Sequence, residues 1–152
     1  MEYKDMLHQE LIFLNISASD RTDLFHQIAI ELKNKGYVKD TYEKALNKRE
    51  DEFPTGIVFP LINVMLPHAD PENVNEAFLA IVKVTHPVSV LQMGYNTEEQ
   101  ADAMFFLGIT DSSQQVGLLQ EFTDLLQDED FVKKFKQTNN PAEMYKLVAN
   151  RI

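Results

Sequence analysis

The chain has 152 residues, 44% apolar and 25% charged, with 24 acidic against 14 basic side chains, a formal net charge of −10 and no cysteine. These values describe one soluble globular domain with enough chain for a core, and they exclude disulfides, thiolate zinc sites and cysteine nucleophiles. The acidic balance argues against nucleic acid and against an anionic membrane face, because both need clustered Lys and Arg.

In chain order, the polar opening "MEYKDMLHQE" has no signal-peptide pattern and reads as a frayed segment carrying His8. No apolar run reaches the roughly 20 residues of a membrane span, so a cytoplasmic location without membrane insertion is expected. "LIFLNI" (11–16) predicts a first strand. The next stretch opens with Ser and Asp capping residues and places Leu24, Phe25, Ile28, Ala29 and Leu32 on one helical face, ending at Gly36. Asp40, with Glu43 three residues on, has the spacing of a capping box for "TYEKALNKRE". Residues 53–68 read as loop, strand, turn and strand; "AFLAIVKV" (77–84) and "DAMFFLGIT" (102–110) read as buried strands. Helices are expected over 113–127, over 128–137 capped by Asp128 or Asp130, and over 141–151 with Pro141 in the first turn. The Lys-rich "VKKFKQ" is the solvated end of the second of these, where cations complement the helix dipole. Strands interleaved with helices predict a layered α/β fold, and the short links around 56–68 predict a mixed sheet.

The chemistry narrows by elimination. None of the five isolated glycines builds a GxGxxG or GxxxxGK[ST] phosphate loop, and no GxSxG elbow occurs. The four histidines, His8, His26, His68 and His86, show no HExxH or other metal spacing. "HAD" with Glu72 reads as a loop and not a cation clasp, so no metal is expected. His26 lies beside the apolar stripe of the first helix, and His86 precedes Pro87 in what reads as a turn; both suit structural roles. His68 differs: it follows Pro67 at the end of an apolar run, and proline fixes φ and lacks an N–H. The reading is a strand ending at Pro67 and an imidazole held out on a convex turn, with Phe53, Phe59, Met65, Leu66 and Met93 as either an apolar rim or core. By composition alone a packing role for His68 stays open.

The neighbourhood carries more. "KREDEFPTGI" followed by "NVMLPHAD" resembles the enzyme IIA domain of the bacterial phosphoenolpyruvate-dependent sugar phosphotransferase system, fructose/mannitol superfamily, through Arg49, Glu50, Pro54, Thr55, Gly56, Pro67 and His68. "PVSVLQMG" (87–94) and "QQVGLLQEF" (114–122) are similar to its galactitol-type branch. The resemblance implies a single enzyme IIA type-2 domain over residues 1–152, built as a three-layer α/β/α sandwich with a mixed β-sheet flanked by helices. It implies that His68 is the phosphorylated nucleophile, attacking through Nε2. Arg49 would stabilise the phosphoryl oxygens, or else form a structural ion pair with Glu50 or another acid. The Thr55 hydroxyl and turn N–H groups would add donors, unless Thr55 simply caps the turn. Gln115 stands where mannitol and fructose relatives carry a second histidine, so a neutral amide replaces a titrating group there. The implied partners are the phosphocarrier HPr and an enzyme IIB of galactitol-type or related, with a membrane enzyme IIC in the same system. No cofactor is implied. A regulatory relative, signalling by phosphorylation without transport, is the alternative.

Overall fold

A computed structural model describes residues 3–152. The strands are β1 (Leu7–Ile16), β2 (Gly56–Val58), β3 (Asn63–Met65), β4 (Phe78–Leu91) and β5 (Glu98–Gly108). The helices are α1 (Arg21–Asn34), α2 (Tyr42–Glu52), α3 (Gln115–Leu126), α4 (Glu129–Gln137) and α5 (Pro141–Ala149). The strands form one sheet in the order β1-β4-β5-β3-β2. β1–β4 and β3–β5 are parallel, whereas β4–β5 and β2–β3 are antiparallel, so the sheet is mixed as expected.

Period-two alternation explains why β4 and β5 read as unbroken apolar runs. Leu79, Ile81, Ala103, Phe105 and Leu107 face one way, toward a core completed by α3, α4 and α5. Phe78, Ala80, Val82, Met104 and Phe106 face the other way, toward α1 and α2. A sheet covered on both faces has no polar side to display, and three layers result. Phe105 is central to the first core, with ring centroids 5.1 Å from Phe122 and 5.5 Å from Phe135. Phe105→Ala should therefore cost about 3–5 kcal/mol, measured as a lower urea midpoint at unchanged slope.

Local signals set several boundaries. Asp20 caps α1 by accepting from the Asp23 N–H at 2.8 Å. Gly36, at φ 85°, follows it in the left-handed region that glycine favours. Asp128 caps α4, and Asn140 caps α5 with Pro141 at its first position.

Four expectations need correction. β1 begins at Leu7, not residue 11, so His8 lies in a strand, its ring 5.2 Å from that of Tyr37. β4 continues through His86 and Pro87 to Leu91; the register break between Lys83 and Val88 accommodates a proline that has no N–H to give the ladder. β5 correspondingly starts at Glu98. The capping box does not form: Thr41 occupies the N-cap without a side-chain capping bond, its hydroxyl donating to Asn73 Oδ1 at 2.7 Å, Asp40 pairs with Lys33 at 2.8 Å, and Glu43 meets His26 Nδ1 at 3.0 Å. Partners from α1 outcompete local capping because they also fasten α1 to α2. No helix among the described residues is long and apolar enough to cross a membrane.

Candidate functional site

The parallel pair β3 and β5 runs out at the same end of the sheet, and His68 sits there. In open α/β sheets this carboxyl end is where sites assemble, because side chains beyond the strands are free of the ladder. His68 still makes a bridge to Leu107, and the Leu107 N–H donates to the Pro67 carbonyl at 2.9 Å. The regular strand ends at Met65, but the chain stays on β5 past Pro67 through the isolated bridge at His68. Proline withholds only its own N–H, and its carbonyl keeps the chain registered on β5.

That continuation changes the setting of the histidine. His68 is 4% exposed, so it is not held out on a convex turn. Phe59, Met65 and Leu66 are core residues, not rim. Of the apolar residues proposed for a rim, Phe53 is 60% exposed and Met93 40%. Val116, near the start of α3, is also exposed, at 77%.

The imidazole is oriented by a single backbone bond. Its Nδ1 lies 2.9 Å from the Leu66 carbonyl oxygen. A carbonyl only accepts, so the network assigns the proton to Nδ1 and leaves a lone pair on Nε2. Arg49 Nη2 stands 3.5 Å from Nε2. Burial holds the imidazole below its ordinary titration range, and the Arg49 charge adds to this, while the Leu66 bond and Asp70 oppose it. The resting ring is thus a neutral imidazole at physiological pH, with its Nε2 lone pair open.

Arg49 and Glu50 close α2 and diverge by the helical angle. Arg49 lies over the Phe53 ring at 5.1 Å, and its Nη1 is 3.6 Å from Asp70 Oδ1. Its ion-pair partner is therefore Asp70 and not Glu50. The Arg49 Nε–H is buried and donates to none of the described residues. A guanidinium whose Nη2 stands 3.5 Å from Nε2 suits an anionic group on that nitrogen. Arg49 already borders the resting imidazole.

Glu50 turns inward on the face that buries Tyr42 and Leu46. Its Oε2 accepts from the Thr55 N–H at 2.6 Å and its Oε1 from the Thr55 hydroxyl at 2.7 Å. Thr55 Oγ1 in turn accepts from the Leu66 N–H at 3.2 Å. The Thr55 hydroxyl proton is thus committed to Glu50 and is not a spare donor for an anion. Gly56 is required by close approach: a Cβ there would lie 2.5 Å from the Leu91 carbonyl oxygen, where the Met93 N–H also donates to Gly56 O at 2.7 Å. The β4–β5 hairpin tip and α2 therefore clamp the Thr55–Gly56 turn from two sides.

Gln115 is the first residue of α3, which follows β5 beyond the His68 end of the sheet, and its side chain makes no hydrogen bond to the described residues. Glu50 joins the site through its two bonds to Thr55. The signal was present in the four-residue spacing Tyr42, Leu46, Glu50, which puts a carboxylate on the buried face of α2. Among the described residues, no group of three or more His, Asp or Glu side chains is arranged to hold a metal ion. Beside the site an open groove of about 990 Å³ runs along α2, lined by charges of both signs including Lys44, Lys48, Arg49 and Asp70.

Residues 5–151 match the family model described as phosphoenolpyruvate-dependent sugar phosphotransferase system, EIIA 2. The galactitol-specific EIIA component of the Escherichia coli phosphotransferase system is 30% identical over 118 residues, covering 78% of this chain and 79% of that one. A Streptococcus pyogenes crystal structure assigned as a PTS IIA domain superposes with a TM-score of 0.80 at 19% identity, over 99% of this chain and 97% of that one. The mannitol enzyme IIA of Escherichia coli, solved in complex with its phosphorylated enzyme IIB, gives 0.75 at 22% identity, over 93% and 96%. A family match over almost the whole length, on a fold with a histidine oriented at the carboxyl end of its parallel strands, places this chain in the EIIA 2 family of sugar phosphotransferase system phosphoryl carriers.

Proposed function

We propose that residues 1–152 act as one cytoplasmic enzyme IIA domain that takes a phosphoryl group from phosphorylated HPr on His68 Nε2. It then passes the group to an enzyme IIB of galactitol type working with a membrane enzyme IIC. The observation that carries this reading is the Nδ1–Leu66 bond at 2.9 Å, which leaves the Nε2 lone pair facing Arg49. In the first transfer the Nε2 lone pair forms an N–P bond while the P–N bond of the donor phosphohistidine breaks, its electron pair returning to the donor ring. In the second, an enzyme IIB thiolate forms an S–P bond and the pair returns to Nε2. Neither step needs a nucleotide or metal, since the energy of the phosphoramidate is already present in the donor. The galactitol-specific relative favours that branch for the IIB partner.

The test is incubation with phosphoenolpyruvate, enzyme I and HPr. It should add one acid-labile phosphoryl group per chain, and an unmodified chain under conditions that fully phosphorylate HPr would refute the proposal. A pH dependence follows as well. Burial lowers the His68 titration, so the acid limb of the single-turnover rate should fall below the roughly 6.5 of free imidazole. The same shift links to stability. Because the folded value is the lower one, the unfolded chain binds the extra proton first as pH falls. The His68 contribution is then fully present above about 6.5 and is lost as pH drops toward the folded value. Thermal melts of the parent and His68→Ala should converge over that interval.

A further inference from the structure

We infer that Glu50 is a positioning residue for phosphoryl transfer, acting on His68 through Thr55 and Leu66; the inference rests on the phosphoryl-acceptor reading of His68. The observations form one continuous chain of hydrogen bonds. His68 Nδ1 meets the Leu66 carbonyl at 2.9 Å, the Leu66 N–H donates to Thr55 Oγ1 at 3.2 Å, and the Thr55 hydroxyl donates to Glu50 Oε1 at 2.7 Å. A second strand of the clamp is the Thr55 N–H to Glu50 Oε2 at 2.6 Å.

The direction of every bond is determined. The Leu66 N–H can only donate, so Thr55 Oγ1 accepts it and must send its own proton to Glu50. Both Thr55 donors then end on different carboxylate oxygens, which only the ionised acid accepts without conflict. Glu50 is 3% exposed and forms no ion pair with the described residues. Burial pushes its titration up, opposed by the two Thr55 bonds. On the buried face of α2, after Tyr42 and Leu46, an apolar side chain would avoid the desolvation cost of a carboxylate. What the carboxylate adds is a double anchor for Thr55. That residue also bonds Leu66 twice, because the Leu66 N–H lies 3.3 Å from the Thr55 carbonyl oxygen as well. Leu66 is thereby fixed two residues before the imidazole whose tautomer its carbonyl decides.

A glutamine at position 50 breaks this polarity. Its amide would point N–H at one Thr55 donor, and the hydroxyl would have to reverse while still accepting from Leu66. The hydroxyl proton would lose its acceptor, the anchor on Thr55 would loosen, and the Leu66 carbonyl that aims the ring would be held less firmly.

The experiment compares the full-length parent with Glu50→Gln, Thr55→Val and Thr55→Ser. The first readout is imidazole ¹⁵N NMR of unphosphorylated protein, above the ring titration, and the second is the single-turnover rate from phosphorylated HPr. The parent and Thr55→Ser should hold the Nδ1–H tautomer. Glu50→Gln and Thr55→Val should move toward the averaged tautomers of a free imidazole and lose about 10- to 100-fold in rate, as small misplacements of a reacting group do. A Glu50→Gln/Thr55→Val double variant should lose no more than the worse single one, since both changes cut one chain. If Glu50→Gln and Thr55→Val keep the parental tautomer and rate, whatever happens to their melting temperature, Glu50 only staples the loop and the inference fails. Should Glu50→Gln not fold, Thr55→Val, which keeps the backbone bond to Glu50, decides alone. A parent that accepts no phosphate would overturn the proposed function, while the tautomer comparison would still judge Glu50.

Discussion

His68→Ala is expected to abolish phosphorylation by phosphorylated HPr, while His8→Ala, His26→Ala and His86→Ala retain it. The difference comes from what each ring can offer. His26 lies exposed on α1, with Nδ1 against Glu43 at 3.0 Å, and has no guanidinium beside its other nitrogen. His86 is exposed within the irregular part of β4, its Nδ1 next to the Thr85 hydroxyl at 3.2 Å. His8 packs against Tyr37. Among the described residues, only His68 has its tautomer set by a backbone carbonyl and a cation 3.5 Å from the open nitrogen. The measurement is the mass increment and its acid lability in each variant, with folding checked by thermal melting. Phosphate persisting on a folded His68→Ala protein would show that another residue is the acceptor.

Arg49→Ala should slow single-turnover transfer by about 10²–10³, the loss typical when one well-placed donor is removed from a developing anion. The transferring group spreads its negative charge over three equatorial oxygens. Arg49 brings a planar, permanently charged donor set, of which Nε–H has no partner among the described residues. Its position is prepared from two sides, by the Phe53 ring at 5.1 Å and Asp70 at 3.6 Å. Gln115→Ala should cost less, because an amide stabilises an anion more weakly than a charged fork. Gln115→His should remain active. A parental rate in Arg49→Ala would reduce Arg49 to a structural partner of Asp70. The remaining donors would then have to be backbone N–H groups other than that of Thr55, whose N–H and hydroxyl are both spent on Glu50.

Much of this molecule is legible in one dimension. The stripe Leu24, Phe25, Ile28, Ala29, Leu32 defines α1, and Asp20, Gly36, Asp128 and Pro141 mark ends, because these signals act within one or two helical turns. The doubly covered sheet is legible in "FLAIVKV" and "AMFFLG", whose apolar residues leave no polar face for water. Arg49, Thr55, Gly56, Pro67 and His68 are visible as a motif, which is enough to single out the histidine.

What neighbours far along the chain decide is not visible there. The lengths of β4 and β5 come from their mutual pairing across Val88–Leu91 and Glu98–Ala101, which local polarity in "TEEQ" conceals. The capping box at Asp40 and Glu43 loses to Lys33 and His26 on another helix. The burial of His68 depends on β5, since the Leu107 N–H reaches the Pro67 carbonyl and draws the histidine onto the sheet. The roles of Arg49 and Glu50 are likewise tertiary. Adjacent in sequence, they leave α2 in different directions, one to the open nitrogen of His68 and the other to Thr55. Sequence alone determined which residue types meet in the motif and which helices and strands carry them, because those depend on local spacing. Only the tertiary structure decided that the open nitrogen of His68 faces Arg49 and that Glu50 acts on Leu66 through Thr55, because the Arg49–His68 and Leu66–Thr55 contacts join α2, the Thr55 turn and the end of β3, which meet only once the sheet has formed.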